Sequence, residues 1–289
     1  MSEERGGTLA SLFKSLGSRR WPAPESHAGL IDTELSSGED MEAMVTVIGR
    51  MGAMTSPDLS AIDWDEALAP YADMEFPAYY RMPFHSVPGG WLSEAAATGD
   101  RAAMEAIYAE AHPERSLGIR RELAALVPDD ARVVVDIGSG SGDGPAAVAE
   151  RLPEADVIGI EASPFMLVAG QTQHAGLANL ELRQGFGEDT DLADGMADAV
   201  TITLVLHECP DPIKERLLAT AHRLLRPGGT LILSDTPNDD LDHFRGFYEP
   251  YRLQWRSFDP DAALATAGFV DIQRNNVAPP LWTSVARRP

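Results

Sequence analysis

The feature that most constrains the fold is a glycine-rich loop that follows an apolar run without a break. Residues 133–144 read Val-Val-Val-Asp-Ile-Gly-Ser-Gly-Ser-Gly-Asp-Gly. The apolar run predicts a buried β-strand, and the glycines permit a sharp turn and a close approach of the backbone to a ligand. A strand, a glycine loop and a helix in this order place a ligand outside the carboxyl end of the strand in an open α/β sheet.

Strand-like and helix-like segments alternate from this point onwards. Further strands are predicted over residues 156–161, 180–184, 199–206, 230–234, 270–275 and 281–286, and helices over residues 144–152, 164–174 and 213–225. This alternation is typical of an α/β fold, in which a parallel sheet carries helices on both faces.

The chain before this region has a different character. Residues 1–60 are rich in Gly, Ser and Pro and are predicted to be weakly ordered, with short helices over 9–16 and 40–51. Residues 61–115 contain short helical patterns over 64–71, 77–82, 90–98 and 100–111, interrupted by prolines. We expect them to form a helical cap over a domain that spans residues 116–289, and not a separate domain.

Charge and cysteine content limit the partners. The 289 residues include 45 Asp and Glu against 23 Lys and Arg, for a net charge of −22. Such a chain repels phosphate backbones and anionic lipid, so we expect neither nucleic acid nor a membrane as a partner. Cys209 is the only cysteine. An intramolecular disulfide is therefore excluded, and a cytoplasmic location is the simplest expectation.

Acidic residues at the predicted strand ends indicate the kind of ligand. The dinucleotide fingerprint would place a third glycine where this chain has Asp143, and a carboxylate there would repel a pyrophosphate. Asp136, at the end of the first strand, suits a cationic group such as an ammonium. Glu161, at the end of the second strand, can accept hydrogen bonds from ribose hydroxyls. S-adenosylmethionine has an ammonium and a ribose and no phosphate.

Four motifs, in order, resemble those of the class I S-adenosylmethionine-dependent methyltransferases over about residues 116–288. They are Val-Asp-Ile-Gly-Ser-Gly-Ser-Gly, Ile-Gly-Ile-Glu-Ala-Ser-Pro, Gly-Phe-Gly-Glu-Asp at 185–189 and Leu-Leu-Arg-Pro-Gly-Gly-Thr-Leu-Ile-Leu at 224–233. The C-terminal half resembles in particular the ubiquinone/menaquinone-biosynthesis-like group. The resemblance implies a Rossmann-like, mostly parallel seven-stranded sheet with helices on both faces, an antiparallel last strand and an N-terminal helical cap.

The resemblance also implies S-adenosylmethionine as the cofactor and assigns contacts to it by position. The implied cofactor contacts are Asp136, Gly138, Ser139, Gly140, Glu161, Ala162, Met166, Gly187, Glu188, Thr203 and Leu204. Members of the family often have Asp where this chain has Phe186. The adenine is then expected either to stack on an apolar wall or to be held by Glu188.

The fourth strand leads into Leu-His-Glu-Cys-Pro at 206–210, at the strand end that faces the methyl group in this fold. An imidazole suits general-base work near neutral pH, so His207 is predicted to be catalytic, with Glu208 orienting it or contacting the substrate. A substrate-pocket role and a purely structural role for His207 are the alternatives. The spacing of His207, Glu208 and Asp211 matches no strong ligand pattern, so no metal site is predicted.

Two aromatic-rich segments supply candidate substrate contacts, the second within a substrate helix predicted over residues 240–257. The candidates are Tyr79, Tyr80, His85, Trp91, Tyr248, Tyr251 and Trp255. Together they favour a largely apolar or aromatic substrate, although core packing is the alternative for each of them.

The sequence thus predicts transfer of a methyl group from S-adenosylmethionine to an oxygen or carbon atom of a small molecule. An N-methyltransferase and a cofactor-binding protein without transferase activity are the alternatives. The sequence is compatible with a homodimer and does not specify one.

Overall fold

The computed structural model describes residues 57–82, 84–86, 89–107, 115–238 and 249–289. Two helices predicted near the N-terminus, over 9–16 and 40–51, lie outside these ranges. So do Tyr248 and much of the predicted substrate helix over 240–257.

The described residues contain one seven-stranded sheet. Its strands are β1 (Val133–Ile137), β2 (Asp156–Glu161), β3 (Leu180–Gln184), β4 (Ala197–Thr203), β5 (Leu225–Asp235), β6 (Val270–Asn275) and β7 (Trp282–Arg287). The strand order is β3-β2-β1-β4-β5-β7-β6. Strands β1 to β5 pair in parallel, and β7 is antiparallel to both β5 and β6. The predicted fold class, with its antiparallel last strand, is confirmed.

Helices connect the strands and cover the sheet. The described α-helices are α1 (Trp64–Leu68), α2 (Glu94–Ile107), α3 (Arg115–Ala124), α4 (Asp143–Arg151), α5 (Pro164–Gln173), α6 (Asp211–Leu224), α7 (Arg252–Arg256) and α8 (Pro260–Thr266). Local sequence explains several of the starts. At α5, for example, Ser163 accepts a hydrogen bond from the backbone N–H of Met166, and Pro164 occupies the first helical position.

Both faces of the central strands are buried. The neighbouring residues Val134 and Val135 point to opposite faces, and neither is exposed. One face packs in a cluster with residues of α4, and the other packs in a cluster with residues of α6 and with Trp255. This explains why the strands read as continuous apolar runs. The strand order reverses between β1 and β4, and a crevice at such a switch point is where open α/β sheets bind ligands.

The described part of the N-terminal segment lies against α5 and the carboxyl edge of the sheet. Leu59 and Ala97 are buried in a cluster with Met166 and Ala169 of α5. The helices predicted over 90–98 and 100–111 correspond to the single helix α2. No helix within the described ranges is both long enough and apolar enough to span a membrane.

The prediction of a helix over 77–82 is wrong, because this stretch forms successive turns. The backbone N–H groups of Tyr80 and Arg81 bond to the carbonyls of Pro77 and Ala78. Tyr79 and Tyr80 each donate their hydroxyl to a carboxylate of the sheet domain. Such contacts to the rest of the fold override local helix propensity.

Candidate active site

A cavity of about 570 Å³ lies over the carboxyl ends of β1, β2 and β4. Its volume falls in the range of small-molecule and cofactor sites. The sheet contributes the glycine loop and the strand ends, and the N-terminal segment contributes aromatic side chains from the opposite side. One continuous space therefore joins the residues predicted to bind a cofactor to those predicted to act on a substrate.

The glycine loop presents both backbone and an unpaired hydroxyl to this cavity. Gly138 and Gly140 have φ angles of 73° and 54°, in the left-handed region that favours glycine. A Cβ atom at Gly138 would lie 2.5 Å from a methyl group of Val205, whereas one at Gly140 would meet only Met166, at 3.6 Å. The Ser139 hydroxyl is buried and has no hydrogen-bond partner among the described residues. The loop is thus shaped for a ligand that lies against it.

Asp136 places a buried carboxyl at the end of β1. It accepts a hydrogen bond from the hydroxyl of Thr201 on the neighbouring strand β4. Burial raises the pKa of Asp136 to about 6, although the Thr201 hydroxyl and the charge of Arg120 act in the opposite direction. A cationic group of a ligand would therefore stabilise the ionised form of Asp136.

Glu161 is held by three hydrogen bonds at the end of β2. The backbone N–H groups of Gly140 and Ser163 both donate over 2.7 Å, and the hydroxyl of Tyr80 donates over 3.0 Å. Burial raises the pKa of Glu161, and these three hydrogen bonds oppose the increase. The carboxylate is therefore fixed in position beside the glycine loop.

The predicted adenine region is enclosed by aromatic side chains. Phe186 packs against Phe76 and Tyr80, with ring centroids 6.0 and 6.3 Å apart. It does not line the cavity, whereas its neighbour Glu188 does and accepts a hydrogen bond from the hydroxyl of Tyr79. Phe186 itself therefore forms no part of an apolar wall for the adenine, and both a stack on another apolar wall and a contact with Glu188 stay predictions.

The opposite end of the cavity is built around His207, in the turn after β4. Its Nδ1 lies 2.7 Å from a carboxylate oxygen of Asp235, a fully buried residue at the end of β5. Asp235 also accepts hydrogen bonds from the backbone N–H groups of Leu206 and His207. Burial alone would lower the pKa of His207, but the charges and hydrogen bonds of Asp235 and Glu208 raise it to about 10.

Glu208 is surrounded by groups that can donate hydrogen bonds. Nε2 of His85 lies 2.7 Å from its Oε1 atom, and Nε1 of Trp91 donates to its Oε2 atom over 2.5 Å. Burial alone would raise the pKa of Glu208, but the hydrogen bonds of His207 and His85 outweigh burial and lower it to about 2. This end of the cavity therefore holds a positively charged His207 and a negatively charged Glu208 between largely aromatic walls.

The structure brings most of the predicted site residues together. Those that line the cavity are Asp136, Gly138, Ser139, Gly140, Glu161, Ala162, Met166, Gly187, Glu188, Thr203, Leu204, His207, Glu208, Tyr79, Tyr80, His85 and Trp91.

Tyr251 and Trp255 are exceptions, since the structure places them in the core and not on the cavity wall. Tyr251 is fully buried against Phe84 and donates its hydroxyl to the carbonyl of Tyr79. Trp255 is 1% exposed and lies against His207, with ring centroids 6.1 Å apart. Their predicted substrate contacts are corrected to packing roles, because neither side chain reaches the cavity.

The sequence analysis missed several charged residues of the site. Asp235 carried a usable signal, because an acid at the end of β5 shares the carboxyl edge of the sheet with Asp136 and Glu161. Arg120 of α3 lines the cavity near Asp136, and Glu249 contacts His85, but neither belongs to a recognisable motif.

Comparison with known proteins gives a consistent result. Residues 134–229 match the family described as "Methyltransferase domain". The chain is 30% identical to demethylspheroidene O-methyltransferase of Rhodobacter capsulatus, over 54% of this chain and 41% of that protein. It is 29% identical to demethylmenaquinone methyltransferase of Staphylococcus aureus, over 47% of this chain and 53% of that protein. The chain thus spans about half the length of these curated relatives.

A solved structure shows the same fold. Human N-acetylserotonin methyltransferase in complex with S-adenosylmethionine superposes with a TM-score of 0.56. The match covers 99% of this chain and 93% of that one, at 15% sequence identity.

Proposed function

Since this chain carries a class I S-adenosylmethionine-dependent methyltransferase domain, we propose that it transfers a methyl group from S-adenosylmethionine to an oxygen or carbon atom of a largely apolar or aromatic small molecule. One observation carries the proposal. A single cavity connects the acids at the ends of β1 and β2 with the His207–Glu208 end of β4.

The residues around the glycine loop fit the cofactor. Asp136 is available to the ammonium group, Arg120 to the carboxylate, and Glu161 to the ribose hydroxyls. The unpaired hydroxyl of Ser139 and the open face of Gly140 provide a further polar partner and the necessary space. When bound, the cofactor supplies a methyl group that is already activated on a sulfonium.

The end of the cavity around His207 and Glu208, called the acceptor end below, provides a positive charge beside the expected position of the methyl acceptor. Because the pKa of His207 is raised to about 10, its imidazole is protonated at neutral pH. His207 then stabilises an ionised acceptor oxygen instead of removing its proton, which revises the role predicted for it as a base near neutral pH. A phenol, whose ordinary pKa is also about 10, is the type of acceptor whose ionised form such a cation stabilises, and its proton is released to water before the methyl group is transferred.

The walls of the cavity position the acceptor for methyl transfer. Tyr79, Tyr80 and Trp91 wall the cavity, and their hydroxyl and indole groups are committed to Glu188, Glu161 and Glu208. Rigid walls hold an acceptor in line with the methyl group and limit the access of water.

The substrate class follows from the same walls. Aromatic side chains favour an apolar or aromatic acceptor, and one curated relative is named for a quinone, demethylmenaquinone. The net charge of −22 supports a small molecule in preference to nucleic acid or a membrane as the partner. A cytoplasmic location and a homodimer remain predictions.

Transfer of a labelled methyl group tests the proposal. The protein is incubated with methyl-labelled S-adenosylmethionine and with aromatic acceptors that differ only in bearing a hydroxyl, an enolisable carbon or an amine. We expect label on the hydroxyl or carbon acceptors. Label on the amine alone would establish the N-methyltransferase alternative, and cofactor binding without transfer to any of the acceptors would favour a binding protein.

A further inference from the structure

Three side chains, two of them adjacent in the sequence and the third from a distant segment, direct ligand atoms at one point in the cavity. Nε2 of His85 lies 2.7 Å from Oε1 of Glu208, and Nε2 of His207 lies 3.5 Å from the same oxygen. The three candidate ligand atoms all lie within 4.8 Å of one another. The cavity gives a small molecule access to this point, because all three residues line it.

A buried carboxylate lies beside the second nitrogen of each histidine. Nδ1 of His85 lies 2.5 Å from Glu249, and Nδ1 of His207 lies 2.7 Å from Asp235. The side chains of Glu249 and Asp235 are 3% and 0% exposed. A carboxylate beside Nδ1 orients each ring so that its Nε2 faces the cavity, and a metal ion that binds there would take the place of the Nε2 proton. Metal-binding histidines characteristically have such carboxylate partners.

The charges require positive charge at the point where these atoms meet. Without protons, the two Nε2 atoms and the carboxylate oxygen would present lone pairs to one another, so either Nε2 protons or a metal cation must lie between them. Three acidic side chains, Glu208, Glu249 and Asp235, lie at or beside this point. Two ring protons or one divalent cation would leave the same net charge, and a cation would use all three lone pairs at once.

We propose that His85, His207 and Glu208 bind one divalent first-row transition-metal ion of the Zn²⁺ type. Two imidazoles with one carboxylate suit such ions, whereas Mg²⁺ and Ca²⁺ prefer oxygen ligands throughout. In a tetrahedral zinc site the ligand atoms lie about 3.3 Å apart, and the distances of 2.7 and 3.5 Å lie on either side of that value. Three protein ligands leave at least one coordination position open towards the cavity.

The residues next to His207 in the sequence do not by themselves predict a metal site, because one of the three ligands is distant in the chain. The third ligand, His85, comes from the N-terminal segment, which the fold brings over the carboxyl edge of the sheet. The site stands on its own geometry and does not depend on the proposed methyl transfer. If both hold, the bound cation replaces the positive charge of protonated His207, and its open position is available to the acceptor oxygen.

Titration of the metal-free protein with Co²⁺ tests the proposal, because cobalt bound by nitrogen and oxygen ligands has visible absorption bands. The wild type should bind one equivalent, and Zn²⁺ should displace it. We expect His85→Gln and Glu208→Gln to weaken Co²⁺ binding by about 100-fold or more, and Glu249→Gln by about 10-fold to 100-fold. His174→Gln is the matched control, since His174 also faces a carboxylate, on Asp143, but lies outside the cluster.

The titration omits S-adenosylmethionine, whose binding is measured separately on the same sample. A wild-type protein that binds the cofactor but shows no saturable Co²⁺ or Zn²⁺ binding would overturn the metal site and leave the proposed function intact. Equal Co²⁺ affinity in the wild type and in Glu208→Gln would also overturn it. The wild-type result is decisive even if a variant fails to fold.

Discussion

The hydroxyl of Tyr80 lies 3.0 Å from Oε1 of Glu161 and connects the N-terminal segment to the end of β2. Glu161 also accepts two backbone hydrogen bonds, from Gly140 and Ser163. A carboxylate offers about four acceptor positions, so three of them are already occupied. Two ribose hydroxyls cannot both bind Glu161 unless Tyr80 moves or shares its position.

Tyr80→Phe tests this competition. Removing the hydroxyl frees an acceptor position, so S-adenosylmethionine should bind about threefold to tenfold more tightly, somewhat less than the full strength of a hydrogen bond to a charged group. Calorimetry on the wild type and the variant measures the difference. Weaker binding in Tyr80→Phe would contradict the competition and would place the Tyr80 hydroxyl in contact with the cofactor.

The affinity for S-adenosylmethionine should depend on pH through Asp136. Its pKa is raised to about 6, and the cofactor ammonium binds the ionised form. The contribution of Asp136 is therefore complete only well above pH 6, and as the pH falls through 6 it is lost, by up to about tenfold per pH unit below the pKa. Calorimetry between pH 5 and pH 8 measures the profile.

Asp136→Asn should weaken binding at neutral pH and flatten this profile. Asp100, whose pKa is also raised to about 6 by burial, provides the matched control. Asp100→Asn should retain the pH dependence. If the pH profile flattens only in Asp100→Asn, the group that titrates is Asp100 and not Asp136.

His207→Ala should reduce turnover and leave cofactor affinity nearly unchanged. The substitution removes the cationic ring at the acceptor end, and the loss of such electrostatic stabilisation lowers turnover by about 10²–10³. His222→Gln, on the outer part of α6 next to Phe269, is the control. Unchanged turnover in His207→Ala would show that positioning alone carries the reaction.

Trp255→Leu should destabilise the fold without weakening substrate binding. Trp255 is 1% exposed and stacks on Phe258 and Trp282, with ring centroids 5.1 and 6.0 Å apart. Truncation of such a residue costs about 2–4 kcal/mol of the free energy of unfolding. Chemical denaturation and the KM for the acceptor separate the two effects. A raised KM with unchanged stability would restore the substrate contact predicted from the sequence.

Much of the sheet was predictable because its signals are local. The strand β6 was placed at residues 270–275, as observed, and the apolar runs of β1 and β2 mark strands that are buried on both faces. The cofactor residues were predictable for the same reason, since the loop after β1 and the acid at the end of β2 have fixed positions in such a fold.

The acceptor end was less predictable because it depends on contacts between distant segments. No local pattern indicates that His85 would meet Glu208, or that Asp235 would hold His207. The sequence around Tyr79 and Tyr80 predicts a helix. The segment instead forms turns, in which carboxylates of the sheet domain accept hydrogen bonds from both hydroxyls. An aromatic residue such as Trp255 fits a core or a substrate wall equally well until its neighbours are known.

Calorimetric titration with S-adenosylmethionine, S-adenosylhomocysteine and NAD⁺ decides which cofactor this chain binds. We expect one site for the first two ligands and no tight binding of NAD⁺, because Asp143 lines the cavity where a pyrophosphate would lie. Glu161→Ala should weaken binding of both S-adenosyl compounds by about 1.5–3 kcal/mol, whereas substitution of Glu181, an exposed acid on β3, by alanine should not. Tight binding of NAD⁺ with no binding of either S-adenosyl compound would show that the cofactor is a nicotinamide.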